Sequence, residues 1–301
     1  MKKQNSIRKM GFSLIELSIV ILVIGILVAG ITKGGAIMTK ARIGSAKALT
    51  SSSPVAIIPD LVAWYEPVLE SSFNAAQAVD GTLLAVSNGA AWFDNSPYKA
   101  NNVTAVVGTG ITYKESSINS LPAVKFAGGA SSLTFNSSPL NQKDYTVFVV
   151  EQRLATGSAT VGRFLSLGGS SGTGAANLGY APDTTSSSLI TMPPSSGSYT
   201  VPVYSRPTPR IITFLSSSTV MTATKGVFLN GGSGTILGNA AANAPLTATS
   251  TGYIGRDDSA SFYIGEIAEI IIYNRALKVD ERNDIQNYLS KKYGIKVTTS
   301  V

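Results

Sequence analysis

The sequence predicts an N-terminal transmembrane α-helix followed by an all-β sandwich, a jelly roll, that closes on a C-terminal α-helix. Three observations carry this. Residues 12–31 form an apolar run with one ionisable side chain, Glu16, and a helical bilayer span needs about 20 such residues. From residue 57 the chain changes to short runs rich in β-branched and aromatic residues, divided by Gly, Ser, Asn and Pro, the pattern of strands and turns. Before the C-terminus the apolar residues return to helical spacing.

The first element is bounded by charge. Lys2, Lys3, Arg8 and Lys9 precede the run with no acid among them, and Lys33, Lys40, Arg42 and Lys47 follow it. Those eight account for the whole excess: the chain has 24 basic and 17 acidic residues, and without these eight and Glu16 each total falls to 16. The net charge of +7 therefore belongs to the flanks of the apolar run. That speaks of membrane topology and against a basic groove for nucleic acid. The positive-inside rule puts the N-terminus in the cytoplasm and the remainder outside. The run exceeds the usual signal-peptide core of about 7 to 15 residues, and no A-x-A-like cleavage site follows it. The expected division is a basic leader at 1–11, a spanning helix at 12–32, a helix extension and linker at 33–56, and a sandwich at 57–301.

The sandwich is read from candidate strands at 61–65, 123–126, 132–135, 145–151, 163–167, 210–215, 220–224, 227–229 and 267–273. In "DYTVFVVE" and "RIITFL" β-branched and aromatic residues dominate. No helical pattern separates the runs, which favours a sandwich or jelly roll over alternating strands and helices. The closing helix is "VDERNDIQNYLSKKYG": Ile285, Tyr288 and Leu289 share a face, acids lead, bases trail, and Gly294 stands as the cap.

The chain has no cysteine and no histidine. That excludes disulfides, Cys/His zinc sites and any catalytic pair that needs an imidazole.

At the start of the run, "MGFSLIE" resembles the processing signature of type IV prepilins and pseudopilins. The resemblance, which covers about the first fifty residues, implies cleavage between Gly11 and Phe12 by an inner-membrane prepilin peptidase and N-methylation of Phe12. It also implies an assembly role for Glu16, paired with the N-terminal amine of a neighbouring subunit. Within one helix Glu16 also lies on the face of Phe12, four residues away.

At the other end, "GYIGRDDSASFYIGEIAEIIIYNRALKVDERNDIQNYLSKKYGI" resembles the close of laminin-G-like, concanavalin A-like lectin and glucanase domains, and "LVAWYEP", "WFDNSPYKAN" and "LPAVKFAGG" resemble their opening. Lys278 stands where that family places a capping Ser or Thr. The resemblance implies a sandwich that hosts lectins, enzymes and spacers alike.

Glycan hydrolysis would need two carboxyls close together in a cleft. Glu266 and Glu269 are three apart in "GEIAEI", so a regular strand sends them to opposite faces. Asp94 with Asn95, and Asp257 with Asp258, are the candidate calcium or ligand loops, since oxygen ligands suit that ion; Asx turns are the plainer reading. No other cofactor is expected. Trp92, Tyr98, Tyr180, Tyr199 and Tyr204 lie in loop-like contexts and could meet a sugar or belong to the core.

The expected function is a non-enzymatic, pilin-like or pseudopilin-like filament subunit, single-pass in the inner membrane before assembly and periplasmic or cell-surface after it. Its expected partners are the prepilin peptidase, other pilin subunits, the membrane and, through the sandwich, carbohydrate. The alternatives are an adhesive minor subunit that binds carbohydrate, or a membrane-anchored glycan hydrolase.

Overall fold

A computed structural model describes residues 13–86, 90–129, 131–154, 162–168, 176–180, 188–191, 198–201, 207–216, 226–233, 235–237, 246–247, 251–256 and 261–298. The chain divides into two compact units, 1–44 and 45–301.

Helix α1 runs Leu14–Ser51. Its start is written in "SLIE": Glu16 is the third helical residue, and its carboxylate accepts the N–H of Ser13 at 2.8 Å, half of a capping box. Thus Glu16 has a local partner at the helix start. Every described side chain from Leu14 to Val28 is exposed. Here the expected transmembrane helix is corrected, because no helix among the described residues is long and apolar enough to cross a membrane. The single-pass inner-membrane placement falls with it.

The second unit is a sandwich of two antiparallel sheets. The first runs, in spatial order, β13 (Gly232–Ser233), β12 (Val227–Leu229), β11 (Pro209–Ser216), β6 (Tyr145–Arg153), β16 (Ile264–Tyr273), β4 (Ala123–Ala127) and β3 (Ile111–Lys114). The end of β16 beyond β4 pairs instead with β1 (Leu61–Tyr65). The second sheet runs β14 (Thr235–Leu237), β10 (Ser198–Val201), β9 (Ser188–Thr191), β8 (Ala176–Tyr180), β7 (Gly162–Leu167), β15 (Thr251–Ile254), β5 (Ser132–Asn136) and β2 (Ala105–Val107). The expected strand at 220–224 lies outside the described residues.

Between the sheets sits an aromatic core. Phe164 makes edge or tilted contacts with Tyr180, Phe214 and Tyr263 at about 5.8–5.9 Å, and Trp92 packs on Tyr65 and Phe73. Such pairs add to the area that aromatic burial already removes from water.

The outer face of the first sheet is covered by α2 (Val279–Tyr293). Lys278 contributes no side-chain cap, yet the helix start is held: Glu281 accepts the Lys278 N–H at 2.8 Å and grips the Arg275 guanidinium at 2.7 and 2.9 Å. Gly294 ends the helix at φ +64°, the left-handed conformation that glycine adopts without a Cβ penalty.

Strand β16 contains the feature that decides what lies beneath α2. Ile267 pairs with Glu151 and Glu269 with the adjacent Val150, so Ala268 is an extra residue, a bulge. The bulge resets the alternation. Glu266 and Glu269 therefore share the outer face, contrary to the regular-strand expectation, while Ile267, Ile270 and Ile272 join the inner core. Glu266 accepts from Ser117 Oγ at 2.5 Å. Glu269 meets Lys292 from α2 at 2.8 Å, and Lys292 also reaches Glu66 at 3.0 Å. Burial alone would lower the Lys292 pKa, but the Glu269 and Glu66 carboxylates outweigh it and hold that pKa well above the ordinary lysine value.

Candidate functional site

The described surface singles out the loop from Asp94 to Asn101. Asp94 is buried and its carboxylate is the loop's anchor. Oδ1 accepts the N–H groups of Trp64 and Ser96, both at 2.9 Å; Oδ2 accepts the Ser96 hydroxyl at 2.7 Å and the Asn101 N–H at 3.2 Å. Asn95 is tied in turn to Ser71 Oγ at 2.6 Å and Ser72 Oγ at 3.0 Å, and its N–H donates to Trp64 O at 2.8 Å. Lys99 takes φ +47°, so the chain doubles back tightly. The consequence is a braced tip on which Pro97, Tyr98, Lys99 and Ala100 face solvent.

Tyr98 is 81% exposed and is the one exposed aromatic among the residues whose side chains are described. A large apolar ring left in water on a braced loop is a contact surface with little ordering entropy left to lose. The other loop-context aromatics sort differently. Trp92 is fully buried, with its indole N–H on Glu66 O at 3.2 Å. Tyr180 is fully buried at the end of β8. Tyr204 and the side chain of Tyr199 lie outside the described residues.

The remaining candidates take their places in the same way. At Asp94 and Asn95, protein donors meet both Asp94 oxygens and Asn95 Oδ1, and Asn95 Nδ2 donates to Ser72 Oγ and Phe93 O. Asp257 and Asp258 lie outside the described residues, as do Gly11 and Phe12. Among the described residues no group of three or more acidic side chains is arranged to hold a metal ion.

A second grouping was not anticipated from the sequence. Glu151 and Arg153 of β6, Arg210 of β11, Tyr180 and Tyr263 are all buried at one end of the sandwich. The Tyr180 hydroxyl donates to Glu151 at 2.6 Å, the Tyr263 hydroxyl donates to its other oxygen, and Arg210 donates to the Tyr180 oxygen at 3.0 Å. The Arg153 guanidinium lies 4.6 Å from the Tyr180 ring centre. Burial raises the Glu151 pKa against the opposing pull of Arg210, the two hydroxyls and Arg153. Burial and the neighbouring Glu151 also push both tyrosines well above their ordinary range. The signal was there to find: alternation along "YTVFVVEQR" puts Glu151 and Arg153 on the inward face with Val147 and Val149.

Comparisons with known proteins agree on the sandwich. No family model matches the chain, and no curated protein matches it. Among solved structures, a sialidase from Trypanosoma rangeli is similar over 87% of this chain and 39% of its own, at 15% identity and a TM-score of 0.52. Domain 4 of AbnA, a GH43 extracellular arabinanase from Geobacillus stearothermophilus, in complex with arabinotriose, is similar over 78% and 98% (14%, TM-score 0.47). The binding domain of botulinum neurotoxin serotype G is similar over 69% and 50% (11%, TM-score 0.45). The chain thus spans about two fifths of the length of the sialidase it matches. What the likeness to the sialidase shows is the fold alone.

These findings correct two expectations. The pilin-like filament subunit, with its processing, methylation and secretion roles, is overturned: no helix among the described residues meets the requirement for a span. The exclusion of an enzyme also falls as a conclusion, since a fold shared with a protein named as a sialidase does not by itself decide against one.

Proposed function

We propose that the sandwich is a carbohydrate-binding module whose contact surface is the Asp94–Asn101 loop. The observation that carries this is Tyr98, an 81% exposed ring on a loop braced by four hydrogen bonds to one buried carboxylate. A sugar presents a face of C–H groups to such a ring and hydroxyls to the polar group beside it, here the exposed Lys99. A pre-formed aromatic platform binds without first having to order itself.

The test is a glycan array probed with the full chain, in calcium and in chelator, alongside Tyr98→Ala. Binding that survives chelation and is lost in the variant supports the reading. Binding that Tyr98→Ala leaves intact moves the site elsewhere, and a blank array removes it.

A further inference from the structure

We propose that Lys292 and Glu269 condense into an intramolecular amide, a covalent cross-link between α2 and β16. The starting geometry is a buried ammonium between two carboxylates. Lys292 Nζ lies 2.8 Å from Glu269 Oε2, 3.0 Å from Glu66 Oε2 and 3.1 Å from the Tyr288 hydroxyl. All three charged side chains are fully buried. Trp64, Tyr288 and Tyr293 close over them, each with a hydrogen bond to Glu269.

Amide formation between an amine and an acid needs contact, a proton relay, donors on the retained carbonyl oxygen and a site from which water leaves. Each has a residue here. Glu66 is the relay, within reach of Nζ and held in place by the N–H groups of Val68 and Leu69 and the Ser72 hydroxyl. The retained oxygen is Glu269 Oε1, which accepts from Trp64 Nε1 at 2.7 Å and the Tyr288 hydroxyl at 2.9 Å. The departing oxygen is Glu269 Oε2. Its remaining donor, the Tyr293 hydroxyl, has a second acceptor in Ala268 O at 3.5 Å.

The balance is one ammonium and one carboxylate to one amide and one water. Glu66 takes a proton from Nζ, and the freed lone pair forms the bond to Glu269 Cδ. The Cδ–Oε2 bond breaks, and the oxygen leaves as water with the two protons that Nζ has shed, passed through Glu66. Glu66 returns to a carboxylate and the amide keeps one N–H. Two acids and one base carry a net −1 before the step, and Glu66 alone carries −1 after it, with its three protein donors still in place.

Tryptic peptide mapping of the purified full chain tests this. The expected product is the 257–275 peptide joined to the 292–296 peptide, lighter than their sum by one water, with no cleavage after Lys292. Lys292→Arg and Glu66→Gln are both expected to give unlinked peptides, the first for want of the amine and the second for want of the relay. Free 257–275 peptide and cleavage at Lys292 from wild-type chain with a cooperative melting transition would overturn the proposal. A linked Glu66→Gln chain would overturn the role of Glu66.

Discussion

Removing the Asp94 carboxylate tests whether the exposed ring depends on a buried brace. In Asp94→Ala the N–H groups of Trp64, Ser96 and Asn101 lose their acceptor, as does the Ser96 hydroxyl. Trp64, Ser96 and Asn101 are all buried. A buried donor left without a partner costs about 1–3 kcal/mol. Three backbone donors at the lower end of that range, with some relief from water entering the vacated space, give a loss of about 3 kcal/mol. The assay is urea unfolding: the midpoint falls while the slope holds, because the surface exposed on unfolding is unchanged. Tyr98→Ala is the control, a change at an exposed tip worth no more than about 0.5 kcal/mol. Glycan affinity should fall in both, by about tenfold or more for Tyr98→Ala if the ring is a hot spot. An Asp94→Ala chain within about 0.5 kcal/mol of wild type would refute the brace.

Other parts of the fold make further commitments. Glu151 holds its proton more tightly folded than unfolded, since burial raises its pKa; its contribution is therefore full below the unfolded value of about 4.3 and is lost as pH rises through the folded value. Urea titrations of wild type and Glu151→Gln should show the wild-type advantage shrinking from pH 4 towards neutrality. Glu281 has the opposite sign: its bond to Arg275, with help from the Lys278 N–H, lowers its pKa. Its contribution is present above about 4.3 and lost as pH falls through the folded value. Glu281→Gln, part-exposed, should cost about 0.5–1 kcal/mol near pH 7 and less in acid. Gly255 has φ +91°, and a Cβ there would sit 2.4 Å from the Phe126 ring, so Gly255→Ala should lower stability by about 2–4 kcal/mol in thermal melts.

What the sequence made legible follows from the range of the forces involved. Strands such as 145–153 and the closing helix are encoded locally, by alternation and by the order of acids, bases and Gly294. They appear where the pattern puts them. The inward charges of Glu151 and Arg153 obey the same alternation and were readable, but nothing local identifies their partners, because Tyr180, Arg210 and Tyr263 come from three other segments of the chain. Trp92 and Tyr98 show the same limit from the other side. They sit six residues apart in one polar stretch, and only the fold sends one ring into the core and leaves the other in water.

The apolar N-terminus shows how a local signal can be read at the wrong range. Glu16 reads as a charge displaced into hydrocarbon when the run around it is treated as a span. Read over four residues, Ser13 to Glu16 is a helix-start motif, and the carboxylate has an N–H at 2.8 Å. The bulge at Ala268 is the converse case. "GEIAEI" carries no glycine or proline to announce an irregularity, so alternation alone separates Glu266 from Glu269. The extra residue is imposed by pairing with β6, a contact more than a hundred positions away, and it turns Glu269 towards Lys292. A buried acid one residue out of phase with regular alternation is thus produced by tertiary register. Every property proposed for the Lys292 pocket rests on that one unpaired alanine.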